Sequence, residues 1–151
     1  MTSQNEQLRT VIQSYFRNCE LDQCLGVSLT LKQCVDGTFL DEIKASQNLR
    51  HFMNRLNSSV FGKAYQRFQK RLRVIPVLER SSTNRLHYHL ILQSPYPHDP
   101  IKAVALIEDE WGKTRFGYRQ THVHQQIDHG WTDYITKSAS DGVDWENYHW
   151  S

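Results

Sequence analysis

The sequence has 151 residues, of which 38% are hydrophobic and 23% are charged, and this size and composition are typical of one soluble globular domain. No apolar run approaches the roughly 20 residues that a membrane-spanning helix needs, and the N-terminus lacks the basic and apolar regions of a secretory signal. The net charge is only +2, yet residues 43–78 contain eight Lys or Arg and no Asp or Glu. Cys19, Cys24 and Cys34 lack metal-binding spacing, so we expect free buried thiols in a reducing cytosol.

Hydrophobic periodicity predicts alternating helices and strands in the first half of the chain. Apolar residues at three- and four-residue spacing indicate helices, and strict alternation of apolar and polar residues indicates strands. The predicted elements are a leading helix over 4–18, a strand over 25–32, a turn at Asp36–Gly37, a helix over 44–60 ended by Gly62, and a short helix with Tyr65 and Phe68.

The acid-free block of residues 43–78 covers the second of these helices and the segment after it. A block of one sign suits a phosphate backbone, although a solvated helix face is the simpler interpretation. We favour nucleic acid as the partner. The cations that we expect to contact it are Lys63, Arg67, Lys70, Arg71 and Arg73.

The second half of the chain predicts a hairpin, a helix, a strand and a final helix. The predicted elements are a strand over 72–79 with Pro76 at an edge or bulge, a turn over 81–84, a strand over 86–93, a helix from Asp99 and Pro100 to Gly112, a strand over 119–127, and a short helix over 130–138. This order predicts an α+β domain whose helices pack on one side of an antiparallel sheet.

The predicted hairpin carries a possible metal site. Strand alternation places His87 and His89 on one face and the flanking apolar residues on the other. Glu79 ends the partner strand and is the only acid of the hairpin. Two imidazoles and a carboxylate can bind one divalent cation and leave positions open for water and a phosphate oxygen. A second pair, His122 and His124, competes for this role but has no acid on an obvious partner strand.

The predicted final helix carries a possible nucleophile. Tyr134 and Lys137 are three residues apart and therefore share one helix face. A nearby ammonium favours the phenolate form of a tyrosine and can hold a phosphate oxygen. Tyr118 and Tyr148 are alternative nucleophiles, but neither has a lysine one helical turn further on.

These motifs, in this order, resemble those of the HUH endonuclease superfamily, and within it the rolling-circle replication initiators of filamentous phages and small plasmids. The resemblance rests on three stretches: Ser28-Leu29-Thr30-Leu31 in a strand, Val77 to Arg80 with Arg85 to His89, and Trp131 to Lys137. It covers roughly residues 25–138. The central residue of His-Tyr-His is aromatic rather than aliphatic, which is tolerable if Tyr88 faces the core.

The resemblance implies a five-stranded antiparallel sheet in the arrangement of an RNA-recognition motif (ferredoxin-like), flanked by helices. It implies that Mg²⁺ or Mn²⁺ binds His87, His89 and Glu79, and that Tyr134 nicks single-stranded DNA through a 5′-phosphotyrosine bond that is later rejoined. The domain would comprise residues 25–140, with residues 1–24 as a helical lead and 141–151 as a tail. The protein would act in the bacterial cytoplasm, and a phage or mobile element could encode it.

The sequence leaves two other functions open. A single-tyrosine HUH transposase uses the same chemistry, and a non-catalytic nucleic-acid-binding module would use the basic block with Phe52, Phe61, Tyr65 and Phe68. No GxxxxGK[ST] motif is present, so a host helicase would have to unwind duplex DNA.

Overall fold

The computed structural model describes residues 23–125 and 142–150, together with Glu6, Gln7 and Thr10 near the N-terminus. These three positions are helical, and the Thr10 hydroxyl donates to the Glu6 carbonyl at 2.8 Å, in agreement with the predicted leading helix. The remainder of that predicted helix, the predicted final helix over 130–138 and Cys19 lie outside the described residues.

The described chain forms six strands and three helices of the lengths that the periodicity predicts. In chain order they are β1 (Cys24–Leu31), β2 (Cys34–Val35), β3 (Thr38–Phe39), α1 (Glu42–Phe61), α2 (Lys63–Phe68), β4 (Val74–Arg80), β5 (Leu86–Gln93), α3 (Pro100–Gly112) and β6 (Gly117–His124). The sequence did not predict the short β2–β3 hairpin, although it predicted the turn at Asp36–Gly37 that joins its strands.

Two long helices begin and end as the sequence predicts. The Asp41 carboxylate accepts the backbone N–H of Lys44 at 2.7 Å and caps α1, and Gly62 follows the helix at a positive φ of 55°. The Asp99 carboxylate caps α3 in the same way, with Pro100 at the first helical position. These caps satisfy N–H groups that would otherwise lack an intrahelical acceptor.

The main sheet has four strands in the order β4-β5-β1-β6, and every neighbouring pair is antiparallel. The predicted fifth strand is not confirmed. Residues 142–150 instead follow the free edge of β4 through two isolated bridges, Val77 to Val143 and Val74 to His149. Pro76 lies in this edge strand, as its missing N–H predicts, and its carbonyl accepts the Asp144 N–H at 2.9 Å.

The core lies between one sheet face and helices α1 and α3. Leu86, Tyr88, Leu90 and Leu92 of β5 all point into it and are at most 3% exposed. The rings of Phe52 and Trp111 meet edge to face with centroids 5.3 Å apart. None of the helices formed by the described residues is long and apolar enough to cross a membrane.

Two predictions from the sequence are wrong in detail. Phe52 was a possible base-stacking residue, but it is fully buried because it faces Trp111 in the core. Cys34 was expected to be buried, but it is exposed because it begins the small hairpin outside the main sheet, whereas Cys24 is buried as expected.

Candidate metal centre

The sheet register brings Glu79, His87 and His89 together. Glu79 of β4 lies directly opposite His87 of β5, and His89 follows two residues along the same face. The Glu79 Oε2 atom is 3.0 Å from His87 Nε2 and 2.9 Å from His89 Nε2. Among the described residues, these are the three side chains whose ligand atoms converge, all within 4.8 Å of one another.

The distances fit a divalent cation. Ligand atoms that bind one octahedral ion at about 2.1 Å lie roughly 3 Å from their nearest neighbours, and the two nitrogen–oxygen distances have this value. The two imidazoles favour a transition metal, since Mg²⁺ prefers oxygen ligands, whereas the carboxylate suits Mn²⁺ as well as Mg²⁺. The residues present therefore fit Mn²⁺ better than Mg²⁺.

The alternation of β5 explains how the two histidines come to share a face. Tyr88 between them is fully buried on the helix side of the sheet, so the aromatic departure from the family pattern is accommodated by the core. The side chains of His87 and His89 are 26% and 14% exposed. The two rings meet edge to face with centroids 4.8 Å apart.

The electrostatics of the cluster favour a neutral His89 ring. Burial lowers the pKa of His89 below its ordinary value of 6.5, and this effect exceeds the opposing attraction of the Glu79 carboxylate. A neutral imidazole has a nitrogen lone pair to offer to a metal ion, whereas a protonated one has none.

A third strand contributes a residue that the sequence analysis did not single out. Ser28 of β1 lies opposite His89, and its Oγ atom is 3.0 Å from His89 Nδ1. The alternating Ser-Leu-Thr-Leu stretch indicated that Ser28 would share a face with other polar residues. Only the strand order, however, shows which histidine it meets.

The competing pair His122 and His124 lies on the same sheet face but apart from the cluster. Both are exposed on the edge strand β6, where His122 pairs with Ser28, so β1 separates them from β5. Their rings stack at an interplanar angle of 16° with centroids 6.1 Å apart. Within the described part of the chain, neither histidine belongs to the three-residue cluster.

The basic block is divided by the fold into paired and solvent-facing cations. Arg55 donates to the Glu110 carboxylate at 2.7 Å, and Lys44 lies 3.3 Å from Asp41, so acids outside the block neutralise these two. All five cations predicted to contact nucleic acid are exposed: Lys63, Arg67, Lys70, Arg71 and Arg73.

The exposed cations do not lie beside the histidines. Arg73 precedes β4, whereas Glu79 lies near the other end of the strand, so at about 3.3 Å per residue the two are on the order of 20 Å apart. The structure therefore presents two separate features, a compact metal-ligand cluster and a basic surface at the far end of β4.

The predicted catalytic pair, Tyr134 and Lys137, lies outside the described residues. The alternatives are described. Tyr118 is 45% exposed on β6, and the ring of Tyr148 lies 5.2 Å from that of Trp145 in the segment beside β4.

A comparison with protein-family models relates this geometry to known proteins. The model of the ORF2-type replication-associated protein family matches residues 24–142, which is most of the chain. The chain belongs to this family. Searches of curated proteins and of solved structures gave no match. The matched region includes the whole four-stranded sheet and the Glu79, His87 and His89 cluster, and membership implies a role in replication with DNA as the partner.

Proposed function

We propose that this protein is a metal-dependent endonuclease that nicks and rejoins single-stranded DNA to initiate rolling-circle replication. The observation that carries the proposal is the convergence of Glu79, His87 and His89 on one sheet face in a chain of a replication-associated family. A solvated histidine pair in a purely structural role would not require a carboxylate oxygen 2.9–3.0 Å from both rings.

The cluster would bind one divalent cation through the Nε2 atoms of the two histidines and the Glu79 carboxylate. When bound, the cation would polarise a phosphate oxygen of the DNA as a Lewis acid. The half-buried setting of the ligands restricts water and strengthens the interaction of these groups with a phosphate.

Tyr134 is the proposed nucleophile. Its phenolate oxygen would form a bond to the phosphorus of the scissile phosphate while the bond from phosphorus to the 3′ oxygen breaks. The departing 3′ oxygen would take up a proton and become a free 3′-OH, and the 5′-phosphate would remain on Tyr134. Lys137, one helical turn on, would favour the phenolate over the phenol.

The connectivity of the sheet supports this assignment. The described chain stops at Gln125, just after β6, and resumes at Gly142, whose carbonyl accepts the Leu78 N–H of β4 at 2.7 Å. β6 and β4 are the two opposite edges of the four-stranded sheet. The segment that carries Tyr134 and Lys137 thus joins the edges between which the metal-ligand cluster lies.

The exposed cations would hold the DNA strand at a distance from the reaction. Lys63, Arg67 and Lys70 lie on and after α2, and Arg71 and Arg73 lead into β4. Their separation from Glu79 means that they would contact phosphates several nucleotides from the cleaved bond. Such contacts position a strand without reading its sequence.

Among the enzymes that share this chemistry, the family match favours a replication initiator over a transposase. The catalytic domain would comprise residues 25–140. A separate helicase would supply unwound DNA, because the sequence contains no nucleotide-binding GxxxxGK[ST] motif.

The metal requirement tests this proposal with a matched pair of double variants. Single-stranded DNA cleavage by the purified protein should stop in chelator and return with Mn²⁺, at a lower concentration than with Mg²⁺. His87→Ala with His89→Ala should abolish cleavage, whereas His122→Ala with His124→Ala, a change of equal size on the same sheet face, should retain it. Cleavage that persists in chelator, or loss confined to the His122 and His124 variant, would refute the proposed centre.

A further inference from the structure

The ring of His89 is held from both sides. Its Nε2 atom lies 2.9 Å from the Glu79 carboxylate, and its Nδ1 atom lies 3.0 Å from the Ser28 hydroxyl on the neighbouring strand. Ser28 and His89 are direct partners in the register of β1 and β5. The contact is therefore set by the sheet itself rather than by a loop.

Metal binding determines where the proton of this ring must be. If Nε2 of His89 gives its lone pair to a metal ion, the single proton of the neutral ring is on Nδ1. The His89 side chain is only 14% exposed, so a protonated Nδ1 without an acceptor would carry a desolvation cost. The Ser28 Oγ atom is at the right distance to accept this proton in a hydrogen bond.

A hydroxyl suits this position better than a fixed donor or a fixed acceptor. In the absence of metal, an Nε2–H group of His89 can donate to Glu79 while the Ser28 hydroxyl donates to Nδ1. On metal binding the ring proton moves to Nδ1, and the hydroxyl rotates to accept from it. The same pair of atoms thus remains hydrogen-bonded in both states.

We infer that Ser28 is a positioning residue that orients His89 and fixes its metal-binding tautomer. The inference rests on the proposed metal centre and extends it to a third strand. Partners of this kind typically change metal affinity by about 10- to 100-fold when they are removed.

The same strand offers a matched control. Thr30 is two residues further along β1 on the same sheet face and lies opposite the other histidine, His87. Its hydroxyl, however, donates to the backbone carbonyl of Gln120. Thr30→Val removes a hydroxyl of the same strand and face while leaving the Ser28 contact intact.

The experiment measures Mn²⁺ affinity by titration calorimetry on the full chain, without DNA. Ser28→Ala should weaken Mn²⁺ binding by roughly 10- to 100-fold, Ser28→Thr should restore most of the affinity because it returns the hydroxyl, and Thr30→Val should bind as the wild type does. Nitrogen-15 NMR of the Mg²⁺-saturated wild type should show the His89 proton on Nδ1. Thermal unfolding of each variant verifies that it is folded, and Ser28→Cys, a weaker acceptor of similar size, should have intermediate affinity.

Two results would overturn the inference in distinguishable ways. If Ser28→Ala binds Mn²⁺ as tightly as the wild type while His89→Ala does not bind, the metal centre stands and Ser28 has no part in it. If His89→Ala also binds with wild-type affinity, the proposed centre itself is wrong and the role of Ser28 fails with it.

Discussion

Tyr88 ties the metal-binding strand to the C-terminal segment, and its hydroxyl can be removed without changing the shape of the core. The side chain is fully buried between His87 and His89 in sequence, and its hydroxyl donates to the Asp144 carboxylate at 2.8 Å. Burial, followed by the negative charge of Asp144, raises the pKa of Tyr88, so the phenol keeps its proton and remains a donor.

Tyr88→Phe should lower the free energy of unfolding by about 2 kcal/mol, the typical contribution of a hydrogen bond to a charged group. The cost should stay near this value because Asp144 keeps two other donors, Ser46 at 3.1 Å and Asn147 at 2.8 Å. For a chain of this size the change corresponds to a fall of about 4–8 °C in Tm.

Differential scanning calorimetry on metal-free protein measures this change. Tyr118→Phe removes the same atom from a ring that is 45% exposed and serves as the control, with no expected change in Tm. Equal Tm values for the two variants would show that the Tyr88–Asp144 contact contributes nothing to stability, and the account of how residues 142–150 are held against the sheet would be wrong.

Three further perturbations test other parts of the structure. Gly117→Ala should destabilise the protein by about 3 kcal/mol in denaturant titration, since an added Cβ would lie 2.0 Å from the Trp111 carbonyl oxygen; wild-type stability would contradict this packing. Burial lowers the pKa of both His89 and His149, so the unfolded chain gains protons before the folded one. The free energy of unfolding of the metal-free protein should therefore fall as the pH drops through about 6.5, and a flat profile there would refute that reasoning. Neutralising the exposed cations should flatten the log-affinity versus log-salt slope for single-stranded DNA by roughly 0.7 for each phosphate that is no longer bound, and an unchanged slope would mark them as a solvated face. The four to change together are Arg67, Lys70, Arg71 and Arg73.

The local elements could be predicted from the sequence because their signals are local. The β5 strand has the predicted bounds, and α1 and α3 have the predicted caps and stops, since alternation, capping carboxylates and Gly62 act within a few residues. Strand order was not accessible in this way. The position of residues 142–150 beside β4 depends on backbone hydrogen bonds to a strand more than 60 residues earlier, and no short pattern encodes that pairing.

The candidate site was predictable to the same extent. The alternation of β5 placed His87 and His89 on one face, and the hairpin register brought Glu79 to them, as a tight turn between neighbouring strands requires. Ser28 became visible only when β1 was found beside β5, because that pairing joins residues 61 positions apart. The charge count likewise could not show that Glu110 of α3 pairs with Arg55.

The central claim is that a tyrosine of this chain cuts DNA by becoming attached to it, and one measurement tests it most directly. Single-stranded DNA, incubated with the protein and Mn²⁺, should yield a covalent adduct that is digested and mapped by mass spectrometry. The proposal predicts a nucleotide joined through its 5′-phosphate to Tyr134, with a free 3′-OH on the released strand and no adduct from Tyr134→Phe. An adduct on Tyr118 or Tyr148, or a linkage through a 3′-phosphate, would contradict the account.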